Sequence, residues 1–267
     1  MIQTDVYIDR GTTHSICEDY IISGNKPYPY VILSDGCSSS KNTDMGSRIL
    51  CYLARQYFSY QHDNYQFPNL NYDEMGLYII HNAEVVAKQM GLHRSCLNAT
   101  LIIAYVYEGK YYIYTYGDGT FVFQDKSGAL TVTEFEFTKN APYYLGYKID
   151  SGAMNAYHDL KQDLIIKSNI NGVASQNEYA YDFKNLIVLN CDEFPRILLC
   201  SDGLSSFIHN KINPVDPLII GKEFLLYKST KGEFLKRRIK RALKNYNKDN
   251  IEHFDDLAVG AFINEAV

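Results

Sequence analysis

Among the 267 residues there is no tryptophan, and neither the 7 prolines nor the 17 glycines gather into a linker. Long hydrophobic runs are missing too. The longest, Ala99 to Tyr107, falls far short of the roughly 18–20 residues that a membrane helix needs. No basic segment followed by an apolar one opens the chain, so no secretory leader is expected. Neither sign of charge dominates. A net charge of -5 with 46% hydrophobic residues excludes intrinsic disorder and argues against nucleic acid as the main partner. What remains is a chain long enough to bury a substantial core, without repeats, expected to form one domain over 1–267.

Several chemical signatures are absent as well. The six cysteines, at 17, 37, 51, 96, 191 and 200, include no C-x-x-C pair, so neither a zinc clip nor a dense disulfide framework fits. Reduced thiols in a cytoplasm are the simpler expectation. The sequence holds no G-x-x-x-x-G-K-[ST], no G-x-S-x-G and no H-E-x-x-H. An Asp-x-Asp pair, which an aspartyl-phosphate mechanism requires, is also missing. The 24 tyrosines carry no functional signal of their own.

The chain alternates between strand-like and helical patterns. Ile2–Asp9, Cys17–Ser23 and Tyr30–Leu33 are short apolar or alternating runs bounded by Gly, Pro or Asn. Met45, Ile49, Leu53 and Tyr57, then Ile79, Ala83, Val86 and Met90, recur at helical spacing. Asp44 and Asn71 stand where N-caps are expected, and Gly91 where the second helix should stop. Leu101–Tyr107, Lys110–Tyr116, Thr120–Gln124 and Leu130–Phe137 are separated by Glu108-Gly109, Asp118-Gly119 and Ser127-Gly128, which predicts an antiparallel meander. Residues 138–195 are mixed, with room for a flap, before a buried strand at Arg196–Cys200. Phe234–Tyr246 predicts a helix with one apolar and one basic face, and Leu257–Ile263 a closing strand. The basic face around Arg237 reads as a solvated surface or as a docking site for an acidic partner. Two packed antiparallel sheets flanked by helices follow from this order.

The carboxylates fall at strand ends. Val31-Ile32-Leu33-Ser34-Asp35-Gly36 and Ile197-Leu198-Leu199-Cys200-Ser201-Asp202-Gly203 are near copies, each an apolar strand ending in Ser-Asp-Gly. Glu18-Asp19 begins another strand, and Asp255-Asp256 precedes the last. Any one of these is commonly a plain turn or a solvated strand end. Together they can meet on one rim of a sheet sandwich, where repulsion and lost hydration make them costly unless a cation sits among them. Hard divalent ions, Mg²⁺ or Mn²⁺, suit such oxygen donors. Two ions sharing a carboxylate would activate a water and clamp a phosphate. The missing Cβ at Gly36 would let a backbone carbonyl approach one of them.

In order and over nearly the whole chain these segments resemble the metal-dependent type 2C (PPM) serine/threonine protein phosphatases, as a divergent, prokaryotic branch. The resemblance is carried by Gly11-Thr12-Thr13-His14-Ser15-Ile16-Cys17-Glu18-Asp19, Ser34-Asp35-Gly36-Cys37-Ser38 and Asn98-Ala99-Thr100. It continues in Gly117-Asp118-Gly119-Thr120, Ser201-Asp202-Gly203-Leu204 and Asp255-Asp256. It implies an α+β fold, a four-layer α-β-β-α sandwich. It also implies that Asp35 bridges two Mn²⁺ or Mg²⁺ ions, with the Gly36 carbonyl on one and Asp202 and Asp255 on the other. Glu18 and Asp19 would hold an ion directly or through water. Asp118 would serve a weaker third ion or merely cap its hairpin.

There are departures from the family pattern. His14 stands where many members carry a phosphate-gripping arginine, and it lacks the bidentate fork; it grips phosphate as a cation or is a structural histidine. Cys37 stands where some members carry a histidine proposed as general acid. The expected activity is hydrolysis of phosphoserine or phosphothreonine in a protein partner, with Asp35, Asp202 and His14 as the catalytic set and no membrane partner. A regulatory pseudophosphatase and a small-molecule phosphatase are the alternatives.

Overall fold

The computed structural model describes residues 2–64 and 70–265. The chain opens with β1 (Ile2–Asp9), β2 (Tyr20–Gly24) and β3 (Tyr30–Ser34), then α1 (Thr43–Asn64) and α2 (Tyr72–Gln89). Four strands follow: β4 (Leu101–Tyr107), β5 (Lys110–Tyr116), β6 (Gly119–Gln124) and β7 (Leu130–Phe137). Next come α3 (Ser151–Asp159), β8 (Asp163–Ile170), β9 (Val173–Ala180), β10 (Asn185–Asn190) and β11 (Arg196–Cys200). The last part holds β12 (Phe207–His209), β13 (Asn213–Pro214), α4 (Pro217–Phe224), α5 (Phe234–Lys248), β14 (Ile251–His253) and β15 (Leu257–Asn264).

Two antiparallel sheets lie face to face. One has seven strands in the order β1-β15-β11-β6-β7-β8-β9, the other five in the order β10-β5-β4-β3-β2. Each central strand is apolar on both faces because it serves two cores at once. Ile32, Ile103 and Tyr105 point to α1 and α2, while Val31, Leu33, Ile102 and Ala104 fill the space between the sheets. In β15, Val259, Ala261 and Ile263 pack under α4 and α5, and Ala258 and Phe262 face the opposite sheet. The result is four layers, α-β-β-α, as the sequence led one to expect. Many tyrosines are core residues; Tyr105, Tyr111 and Tyr114 are fully buried.

Local signals explain the helix ends. Asn71 caps α2, accepting from the N–H groups of Asp73 and Glu74, and Gly91 follows its end at φ +72°. Asp44 lies within the first turn of α1 rather than at its cap, where a negative charge still favours the helix dipole. The strand predicted over Cys17–Ser23 begins at Tyr20; Cys17 to Asp19 form the approach to it.

The predicted meander is broken in the middle. β4 pairs with β5 and β6 with β7, but β5 and β6 belong to different sheets. Gly117-Asp118 is therefore a crossing between sheets, not a hairpin turn. Gly117, at φ +97°, supplies the conformation that makes the sharp exit from β5 possible. The mixed stretch 138–195 holds α3, a β8–β9 hairpin that widens the seven-stranded sheet, and β10, which edges the other. Among the described residues no helix is long and apolar enough to cross a membrane.

Candidate metal centre

The strand ends bring the carboxylates to one rim of the sandwich. Asp35 leaves β3, Asp202 leaves β11, Asp118 sits at the β5–β6 crossing and Asp255 precedes β15. All four line a single cleft of about 300 Å³, together with Gly36 and His14. Asp19, 1% exposed, is buried behind it, and neither of its carboxylate oxygens has a hydrogen-bond partner among the described residues. Glu18 lies outside the cleft wall, where its Oε1 accepts the Thr43 hydroxyl at 2.6 Å.

Two of the carboxylates, Asp35 and Asp202, sit on segments held by dedicated hydrogen-bond locks. Thr100, the last residue of Asn98-Ala99-Thr100, accepts the Asp35 N–H on its hydroxyl at 3.0 Å and donates its own N–H to the Asp35 carbonyl at 2.8 Å. Ser34 donates to the Thr100 carbonyl at 2.6 Å, so β3 and β4 fix Asp35 from both sides. Ser201 does the same for the other half. Its hydroxyl accepts the Ala258 N–H at 3.0 Å and donates to the Asp256 carbonyl at 3.3 Å, tying Asp202 to β15.

Gly203 makes that junction possible. A Cβ there would stand 1.8 Å from the Asp256 carbonyl oxygen, inside any permitted contact. Gly203→Ala is expected to destabilise the fold by about 1–3 kcal/mol or more, as overpacking does, and to loosen Asp202 from Asp256. A thermal melt checks it; an unchanged melting temperature contradicts the close approach.

Asp256 is a residue whose role the sequence did not disclose. It is 2% exposed and accepts the N–H groups of Gly11 (2.8 Å) and Glu18 (2.6 Å). Its Oδ2 also stands 3.1 Å from His14 Nδ1. One carboxylate thus clamps the segment from Gly11 to Glu18 onto the segment preceding β15, helped by the Thr12 and Thr13 N–H groups on the carbonyls of His253 and Phe254. Its position beside Asp255 was the only available signal. His14 Nε2 is 3.1 Å from Asp255 Oδ1, so both ring nitrogens face carboxylates and neither is left free toward the cleft.

The electrostatics are those of a cluster short of positive charge. Burial, then Asp19, Asp202 and Asp118, push the Asp35 carboxyl well above the usual aspartate range. Burial and Asp202 do the same to Asp118, and burial with Asp202 and Asp256 to Asp19. Asp202 rises to about 6 through burial and the Asp255 charge. Though Asp35, Asp118 and Asp202 keep an opening to the cleft, protein encloses them on every other side. The alternative in which Asp118 only caps a hairpin fails, because there is no hairpin at that position. Tyr144, 7% exposed, also lines the cleft, and nothing in its sequence surroundings marks it.

The donor set fits hard divalent cations. It consists of carboxylates and a backbone carbonyl, with two orphaned oxygens on buried Asp19. At Gly36 a Cβ would meet the Glu18 carbonyl oxygen and Thr43 Cβ, both at 2.8 Å, so only glycine admits the chain here. Among the described residues no three His, Cys, Asp or Glu side chains are grouped closely enough to hold a metal ion as they stand.

The family model described as protein phosphatase 2C matches residues 10–244. The chain belongs to the protein phosphatase 2C family. No curated protein matches this phosphatase 2C sequence directly. Among solved structures it is similar to the serine/threonine phosphatase Stp1 from Staphylococcus aureus (14% identity, TM-score 0.57, covering 99% of this chain and 96% of that one). It is also similar to the serine/threonine phosphatase PstP/Ppp of Mycobacterium tuberculosis (15%, 0.54, 98% of each chain). A third is the PstP catalytic domain in complex with 2 manganese ions (16%, 0.51, 98% of this chain and 99% of that one). At such identities these likenesses establish the shared fold.

Proposed function

We propose that this phosphatase 2C chain, one domain throughout its length, removes phosphate from phosphoserine or phosphothreonine in proteins. The observation that carries the reading is the meeting of Asp35, Asp118, Asp202 and Asp255 in one cleft over the unpaired, buried Asp19. Such a group is unfavourable alone and becomes favourable around cations.

Asp35, whose carboxyl is raised by burial and then by Asp19, Asp202 and Asp118, would serve both ions. The Gly36 carbonyl and Asp19, with Glu18 reached through water, would serve one. Asp202 and Asp255 would complete the other, and Asp118 would take a third, weaker one. Two bound manganese ions in the PstP structure support the first two of these. When bound, Mn²⁺ or Mg²⁺ supplies an activated water as nucleophile and screens the phosphate charge. The chain's own residues orient: Thr100 holds Asp35, while Ser201 and Asp256 hold Asp202 in register. His14, between Asp255 and Asp256, positions the terminal carboxylates rather than gripping phosphate. Displacement would be direct, without a phosphoenzyme. Six unpaired cysteines support a reducing compartment such as the cytoplasm.

A second reading, a weak or inactive phosphatase serving as a binding module, is favoured by one observation: both His14 nitrogens face carboxylates, so this position offers phosphate no free donor. Hydrolysis of p-nitrophenyl phosphate decides between them. The proposal predicts turnover that requires Mn²⁺ or Mg²⁺ and stops with EDTA. Retained metal binding with no turnover of any phosphoester favours the second reading. Preference for phosphopeptides over small phosphorylated metabolites separates a protein phosphatase from a small-molecule one.

A further inference from the structure

Among the described residues that line the metal cleft there is no lysine or arginine. His14, the one cationic candidate, has Asp255 beside Nε2 and Asp256 beside Nδ1, each at 3.1 Å. Bound ions would offset the charge of an entering phosphate, while its outer oxygens need donors from the protein. The neutral donors lining the cleft include Cys37, Ser38 and Ser39 on the loop after Asp35, and Asn140 and Tyr144 on the segment after β7. Asn140 is exposed, and the Cys37 thiol is turned to the Ser39 hydroxyl at 3.1 Å. Tyr144 differs from them. Its side chain is buried and so held in place, yet its hydroxyl, unlike those of Tyr111 and Tyr227, is not enclosed. That hydroxyl stands beside Cys37 and feels the charges of Asp118 and Asp35, which puts it on the cleft side of the ring.

The segment alternates, so that Pro142 and Tyr144 line the cleft while Tyr143 and Leu145 line a second cavity of about 290 Å³. The Tyr144 carbonyl accepts the Tyr147 N–H at 3.1 Å, and the two rings lie with centroids 5.5 Å apart. Two residues further on, the chain presses against the segment before β4. A Cβ on Gly146 would stand 3.0 Å from the Leu97 carbonyl oxygen and 3.2 Å from Asn98 Oδ1. Asn98 also accepts the Cys37 N–H on its carbonyl at 2.9 Å and donates from Nδ2 to Ser40 Oγ at 3.0 Å. The Tyr144 segment and the loop after Asp35 therefore share one anchor. A donor fixed in this way needs little reorganisation to meet a ligand.

We propose that Tyr144 is the phosphate-binding residue of this cleft, its hydroxyl donating to an outer oxygen of the substrate phosphate in the role that His14 does not fill. A tyrosine hydroxyl keeps its proton throughout the neutral range, and burial, then Asp118 and Cys37, push its loss further up. Among carboxylates a neutral donor has an advantage over a cation, because it is not drawn into salt bridges as His14 is. A thiol is a weak acceptor, so little is lost when the hydroxyl turns from Cys37 to a charged oxygen. The inference takes its substrate from the phosphatase reading above, whereas the phosphate contact itself does not depend on turnover.

The test is calorimetric titration of the full chain, first with Mn²⁺ and then with inorganic phosphate, beside steady-state hydrolysis of p-nitrophenyl phosphate. Wild type is compared with Tyr144→Phe, which keeps the packed ring and removes the hydroxyl, and with Tyr143→Phe, which makes the same change on the opposite face of the segment. Tyr144→Phe is expected to bind phosphate roughly ten- to a hundredfold more weakly, the span of one hydrogen bond to a charged group. Its KM should rise in the same proportion with kcat unchanged, since the contact is made in ground and transition states alike. Its Mn²⁺ affinity should equal that of wild type, and Tyr143→Phe should match wild type in every measurement. Equal phosphate binding by Tyr144→Phe, or no phosphate binding by the wild type, overturns the proposal. A weakened Tyr144→Phe that also loses Mn²⁺ affinity overturns it as well, because the ring then serves only to shape the metal site. Phosphate binding that needs the Tyr144 hydroxyl in a protein that hydrolyses no phosphoester upholds this inference and overturns the phosphatase reading instead.

Discussion

Asp202→Asn is expected to lower metal-dependent turnover by at least roughly 10²–10³-fold, the scale of losing one organised charge-stabilising group, while the fold persists. The substitution keeps the side chain's shape, and the local structure does not rest on its charge. Ser201 and Gly203 on either side are fixed by backbone and hydroxyl contacts to Asp256 and Ala258. Steady-state hydrolysis of p-nitrophenyl phosphate with saturating Mn²⁺, beside a far-UV circular dichroism spectrum, checks both halves. Full activity in a folded Asp202→Asn variant removes Asp202 from the centre and takes the rim arrangement with it.

The same variant should reverse its rank in stability when metal is added. Asp19, Asp35, Asp118 and Asp202 all have proton affinities raised on folding. The folded state therefore binds more protons than the unfolded one, and stability falls as pH rises through the window between the two values. For Asp202 that window runs from 3.8 to about 6. Above it, the cost of keeping this one carboxylate charged is on the order of 3 kcal/mol. Without metal, Asp202→Asn should match wild type near pH 4 and melt several degrees higher at pH 7. With Mn²⁺ at about 1,000 times its dissociation constant, wild type gains about 4.1 kcal/mol and overtakes the variant. Differential scanning fluorimetry from pH 4 to 7, with and without MnCl₂, measures the crossing. A variant that melts below wild type in EDTA at pH 7 contradicts the account of mutual repulsion.

How much of this was readable from the sequence follows from what each signal can encode. The rim was legible because two strands end in the same Ser-Asp-Gly, and a buried strand fixes the direction in which its last residue leaves. The two packed sheets were legible in the order of strand-like and helical patterns along the chain, and the four layers came with the family resemblance. The crossing at Gly117-Asp118 was not. A short glycine-bearing link looks the same whether the chain turns back beside its own strand or passes to the opposite sheet, and only β10 and β11, more than 60 residues away, decide the pairing. β9 was illegible for another reason: nearly all its residues are exposed, so no alternation marks it. α4 was missed although Asp216 caps it and Pro217 opens it, because eight residues carry too little periodicity. At the site, Asp255 was recognisable by its place in a motif, whereas the clamp made by Asp256 depends on Gly11 and Glu18, 245 and 238 residues away in sequence. Tyr144 and the second cavity arise from the packing of the segment after β7, which no local pattern records.

The most direct measurement is a crystal of the full chain grown with Mn²⁺, with anomalous diffraction recorded at the manganese edge. The account predicts two strong peaks in the cleft, both within coordination distance of Asp35, with Asp202 and Asp255 on one of them. Ordered manganese elsewhere, or none between Asp35 and Asp202, would contradict it.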